Sequence, residues 1–171
     1  MLGAIALVAC GSDRIASPIS ADAAVPMNGN LLAIDRFTSP EPSVDREASH
    51  RAEACAFGGP RIEDDTLELE TDDCLLFWTG IPLLGATRAG EALTLVTTHG
   101  ALAARAPAEA HIRVDLDGET LVDRRLPIPS PDAVDIETVT PSRDHGTGAR
   151  LTVHLHNHGA NSWRVVSLTR R

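Results

Sequence analysis

The amino-acid sequence predicts an all-β fold, an antiparallel two-sheet sandwich or jelly roll of about seven to nine short strands with at most one or two short helical turns. Three observations predict it. Apolar and polar residues alternate with period two in several short stretches, such as TLELE at 66–70 and ALTLVTT at 92–98. Turn-forming residues separate those stretches, most clearly Asp117-Gly118. Only residues 82–92 and 101–110 have room for a helical turn, and Pro107 limits the second.

Taken in order, residues 11–48 read as a spacer. Pro18, Pro26, Pro40 and Pro42 are spread among Ser, Ala, Asp and Asn, which sustain neither a helix nor a central strand. The run NLLAIDRF at 30–37 interrupts the spacer and is expected to form a first strand docked on the domain. The domain itself is expected over 49–171. TLELE is a strand, followed by an acidic turn at Asp72-Asp73, and CLLFW at 74–78 is apolar enough for a strand covered on both faces. After the strand at 92–98, HIRVDL at 111–116 and ETLVDRRL at 119–126 flank Asp117-Gly118, a hairpin with a type I′ turn whose two central residues need positive φ. PIPSP at 127–131 is an extended connection, and VDIETV at 134–139 is a further strand. A polar loop over 142–148 leads to RLTVHLH at 150–156 and a last strand, SWRVVSL, at 162–168. No internal repeat is present.

The first ten residues, MLGAIALVAC, form an unbroken apolar run with Leu7 and Ala9 placed three and one positions before Cys10. This resembles the lipobox of bacterial lipoproteins. The resemblance implies that residues 1–9 are a signal segment, that Cys10 carries a diacylglycerol, and that 10–48 is a lipid-anchored tether with the membrane as partner. Gly11 and Ser12 follow the cysteine, which in the enterobacterial sorting pattern fits release to the outer membrane. The expected location is therefore the cell envelope, at the outer membrane of a Gram-negative bacterium. Secretion signals ordinarily open with Lys or Arg. No charge precedes Asp13, so the reading frame is expected to start further upstream. With Cys10 assigned to lipid, Cys55 and Cys74 remain as natural disulfide partners in an oxidising compartment, a short loop closure contributing roughly 3 kcal/mol.

Composition narrows the partners. Acidic residues outnumber basic ones 24 to 15, for a net charge of −9, which argues against a nucleic-acid partner. All the basic residues are Arg, and the pairs Arg124-Arg125 and Arg170-Arg171 read as solvated. No G-x-S-x-G, H-E-x-x-H or phosphate-cradling glycine loop is present, so no enzyme class is indicated. The acidic groups Asp115, Asp117 and Glu119, and Glu63, Asp64 and Asp65, read as turns rather than calcium ligands.

The sharpest local feature is VHLHNH at 153–158. On a strand, His154, His156 and His158 project from one face and Val153 and Leu155 from the other. Neutral imidazole suits Zn or Cu, and Gly159 would let the strand end bend so that a third ring reaches the same ion, with His99 or His145 as a further ligand. Alternatively these histidines serve a polar ligand or simply a polar face, with Asn157, Gly159 and Asn161 chosen for turn geometry. The closing pattern Gly-x-Asn-Ser-Trp at 159–163, before a final apolar strand, is similar to galactose-binding-like jelly rolls. That resemblance covers roughly the last twenty residues and implies a ligand-binding module, although fold does not fix function. Register decides Trp163: facing His156 across a ladder it would join His156, His158 and Asn161 in a ligand surface, whereas a one-residue slip, or a place in the other sheet, makes it core. Core is the default. The expectation is a non-enzymatic module without a cofactor, binding an envelope ligand such as a carbohydrate or a protein. The alternative is a Zn- or Cu-binding protein or metal-dependent hydrolase built on the His strand.

Overall fold

Period-two alternation becomes burial strand by strand in a computed structural model, which describes residues 29–38, 59–71 and 76–171, Leu76 and Phe77 as backbone only. In Leu93–His99 each odd residue is buried and each even one half-exposed. Nine strands are described: β1 (Gly59–Glu63), β2 (Thr66–Glu70), β3 (Leu76–Pro82), β4 (Leu93–His99), β5 (Ala108–Leu116), β6 (Glu119–Ile128), β7 (Ala133–Val139), β8 (Arg150–His156) and β9 (Ser162–Arg170). They form two antiparallel sheets, one ordered β1-β2-β9-β4-β7 and the other β3-β8-β5-β6. The protein is thus an all-β two-sheet sandwich. Cys10, Cys55 and Cys74 lie outside the described residues, as do 39–58 and the lipobox segment.

The hairpins follow from local chemistry. Asp117 (φ 47°) and Gly118 (φ 81°) join β5 to β6 as expected, and Asp64 (φ 49°) and Asp65 (φ 58°) make the same type of turn between β1 and β2. The β6 strand runs through Pro127 to Ile128, further than the extended connection expected there. Its place at a sheet edge lets a proline without an N–H fit. No helical turn forms over 82–92 or 101–110; among the described residues the one helical element is a 3-10 turn at Ile34–Arg36.

That turn sits in the segment expected to be a first strand. Instead of a strand, isolated bridges dock it: Asn30 to Thr169, Leu32 to Leu83, Thr38 to Gly80. The Asn30 side chain accepts hydrogen bonds from the amides of Leu32 and Leu168, both at 3.1 Å, which fixes the segment against β9. Leu31, Leu32, Ala33 and Ile34 are all buried. Each fully buried leucine contributes about 1.5–3 kcal/mol, so this stretch belongs to the folded body.

The core lies between the sheets. Leu67, Leu69, Leu93, Leu95, Val165 and Leu168 face Ile112, Val114, Leu116, Leu151, Val153 and Leu155. At one open side, Arg124 of edge strand β6 reaches Asp135 (2.5 Å) and Glu137 (3.2 Å) of edge strand β7, joining the two sheets where no backbone ladder can.

The outer face of the five-stranded sheet carries one buried charge, Glu68, 3% exposed. Burial pushes its pKa up, but the hydrogen bonds from Ser162 and Arg61 and the charge of Arg164 prevail and hold it at about 2, below the ordinary 4.5. A folded pKa below the unfolded one stabilises the fold above the unfolded pKa, and that contribution is lost as the pH falls through the folded one. The wild type should therefore lose about 2 kcal/mol, discounted for the exposure of Arg61, between roughly pH 5 and pH 2. Glu68→Gln should lack that part of the slope when urea midpoints are compared across the range.

Candidate functional site

The two last strands lie in opposite sheets: β8 pairs with β3 and β5, while β9 pairs with β2 and β4. The chain between them, 157–161, must cross the end of the sandwich, and a buried polar knot holds it there. The Thr71 hydroxyl donates to the Asn161 carbonyl (2.8 Å) and accepts from the Asn157 amide (2.9 Å). Asn161 accepts from the Ala103 amide at 2.8 Å and donates to the carbonyls of Ala103 and His158. Gly159 (φ 94°) lies against this loop so closely that an ideal Cβ would fall 2.1 Å from the Ala103 oxygen. Only glycine meets both the left-handed backbone and the close approach.

Ahead of the knot, β8 presents its polar side. Val153 and Leu155 face the core, as the alternation predicts, and His154 and His156 face away. His154 is nonetheless fully buried, with the Trp78 ring stacked on it at 4.2 Å and 11°. The Arg113 guanidinium carbon lies 5.6 Å from the Trp78 ring, and Arg113 is ion-paired to Asp115. His111 of β5 stands edge-on to His154 at 5.6 Å, lies opposite His156 in the ladder, and donates to Asp123 at 2.8 Å. The His156 and His158 rings are 4.9 Å apart. Trp78, His154 and His111 thus form one ring cluster on the sheet face, and His156, opposite His111 in the ladder, pairs its ring with His158 at the sandwich end.

Beside His158 lies a cleft of about 580 Å³, bounded on one side by His158 and Gly159 and on the other by residues 104–108, which lead into β5. Alanines and Pro107 supply apolar walls; Arg105 and His158 are the polar side chains. Small-molecule sites of about 300–1,000 Å³ combine apolar walls with a few polar groups in this way. A smaller cleft, about 370 Å³, opens elsewhere between Asp35 and Asp65.

The sequence-predicted site residues divide accordingly. The His156 and His158 rings come together and His158 lines the cleft, whereas His154 is turned into the stack with Trp78. Among the described residues, no group of three His, Cys, Asp or Glu side chains is placed to hold a metal ion. His99 packs its ring 4.7 Å from Trp163 and hydrogen-bonds the Gly100 carbonyl, and His145 is bonded to Glu119 at 3.0 Å, so neither joins the β8 histidines. Trp163, 1% exposed, is core and shares no surface with His156, because β8 and β9 are in different sheets. Asn161, 4% exposed, uses its side chain to hold the loop. Asp117 and Glu119 cap the 142–150 backbone by accepting from the amides of Arg150 and Ser142. Sequence reasoning missed His111, Trp78 and the 104–108 wall. A same-face phase on strands was available for the first two, but the pairing β3-β8-β5 that assembles them was not.

No protein-family model and no curated protein matches the chain. Solved structures similar to it include the N-terminal cellulose-binding domain of β-1,4-glucanase C from Cellulomonas fimi, 14% identical over 67% of this chain and 86% of that one, with a TM-score of 0.43. Another is described as "CBM4 structure and function", 11% identical over 68% and 81% of the two chains, TM-score 0.41. A third is a carbohydrate binding module of family 29, 9% identical over 66% and 72%, TM-score 0.39. These likenesses fix no residue correspondence.

Proposed function

We propose that this chain is a non-enzymatic ligand-binding module, lipid-anchored at Cys10 and displayed in the cell envelope, whose binding site is the cleft between His158 and residues 104–108. The observation that carries the reading is the cleft itself: about 580 Å³, apolar-walled, with Arg105 and His158 as its polar groups. Its walls are preformed. The knot of Thr71, Asn157 and Asn161 fixes one wall to the other through Ala103, so little ordering cost remains for binding. The volume suits a small polar ligand or one end of a longer one, a carbohydrate being the first class to test. A metal reading rests on the His156–His158 pair alone, two ligands where structural and catalytic zinc sites use three or four.

Ligand binding is tested by two-dimensional NMR of the labelled domain titrated with a panel of neutral and acidic saccharides. Shift changes should cluster at His158, Gly159 and 104–108. Changes confined to other surfaces, or none across the panel at millimolar concentrations, would contradict the reading.

Anchoring rests on the lipobox-like run ending at Cys10. Cells expressing the gene should incorporate labelled palmitate into the protein. Cys10→Ala should abolish incorporation; equal labelling of the two forms would refute the anchor.

A further inference from the structure

The cleft carries one of the arginines that no described carboxylate neutralises. Seven of the described arginines are ion-paired to carboxylates. Arg105 is exposed and has no hydrogen bond or ion pair to any described residue. The nearby acids are occupied: Glu109, four positions along, is bound by Arg125 at 2.6 Å, and Asp123 by His111 at 2.8 Å. Arg36, Arg88, Arg150 and Arg171 also lack a carboxylate partner among the described residues, and what sets Arg105 apart is its place in the lining of the apolar-walled cleft. Guanidinium is planar and permanently charged, and binds carboxylate or sulfate oxygens in pairs. His158 lines the same cleft, and the His156 ring lies 4.9 Å from the His158 ring.

We infer that the cleft takes an oxyanion group, with Arg105 as the paired donor and His158 as the second contact, and that its ligand is a sugar acid, the anion being a carboxylate on a pyranose-sized body. The inference rests on the binding reading above and narrows it. A bare oxyanion would use only the Arg105 side of the space. The alanine and Pro107 walls offer apolar surface beside that contact, against which the face of a sugar ring can lie and a free inorganic ion cannot. The overall negative charge of the chain opposes anions at long range, so selectivity comes from this local contact and weakens with added salt.

The test compares galacturonate, galactose and inorganic sulfate on the wild type and on Arg105→Ala, by NMR titration. Because Arg105 is exposed, the variant should fold as the wild type does. Galacturonate should bind with shifts at His158 and 104–108, and galactose about tenfold or more weakly, a difference of roughly 1.4 kcal/mol. Arg105→Ala should remove that preference. Sulfate should perturb Arg105 and His158 but bind more weakly than galacturonate; equal binding would overturn the sugar-acid assignment in favour of a free-anion site. Equal affinity for galacturonate and galactose, an unchanged preference in Arg105→Ala, or no response to either anion would overturn the oxyanion inference. If neutral sugars alone fill the cleft, the inference falls and the binding reading stands; if no member of the wider saccharide panel perturbs the cleft, both fall.

Discussion

A chain that leaves one sheet and enters the other must carry its backbone polar groups across the end of the sandwich, where core residues leave little water to satisfy them. Between β8 and β9 this constraint falls on 157–161, and the Thr71 hydroxyl meets it by bonding to Asn157 and to Asn161 within a site where all three residues are at most 4% exposed. An unmade bond to a buried group costs about 1–3 kcal/mol, so several such groups sharing one hydroxyl make the junction cooperative. Asn161 extends it to Ala103, tying the β4–β5 connection to the β8–β9 connection. Gly159 belongs to the same constraint, since any larger residue would displace the Ala103 carbonyl.

The candidate site depends on that junction. Both walls of the cleft are segments the junction holds, His158–Gly159 on one side and the continuation of Ala103 on the other. The ladder behind it is rigid for a different reason. His154 is clamped between Trp78 and His111, and β8 is the central strand between β3 and β5, so its backbone cannot tilt without breaking two ladders. Elsewhere the fold uses charge: Arg124 closes the side between β6 and β7, and Glu119 with His145 fastens the 142–148 loop to the β5–β6 turn.

Much of the architecture was legible in the sequence because strand periodicity is a local signal. The Asp117-Gly118 turn, the alternation of β4 and β8, and the inward Val153 and Leu155 all follow from neighbours in sequence. The 30–37 segment, expected as a strand, is instead a docked stretch with a 3-10 turn. Its apolar residues signalled burial correctly, but bridges to β3 and β9 and the Asn30 side chain replace a ladder. The candidate site was legible only in part. His156 and His158 were visible as an i, i+2 pair, whereas His111 and Trp78 come opposite His156 and His154 only through pairings between strands far apart in sequence, and residues 104–108 meet His158 across the cleft, which no local pattern encodes. Trp163 shows the same limit from the other side. Its neighbours in sequence are the His strand, yet its neighbours in space are His99 and the core.

The central claim is that one buried knot preorganises the cleft. Amide hydrogen exchange in Thr71→Val, which keeps the side-chain shape and removes the hydroxyl, tests it most directly. Loss of protection should be confined to 101–108 and 157–161, with the ladders of β4, β5 and β8 still protected. Unchanged exchange in those two segments, or loss spread evenly over both sheets, would contradict the claim.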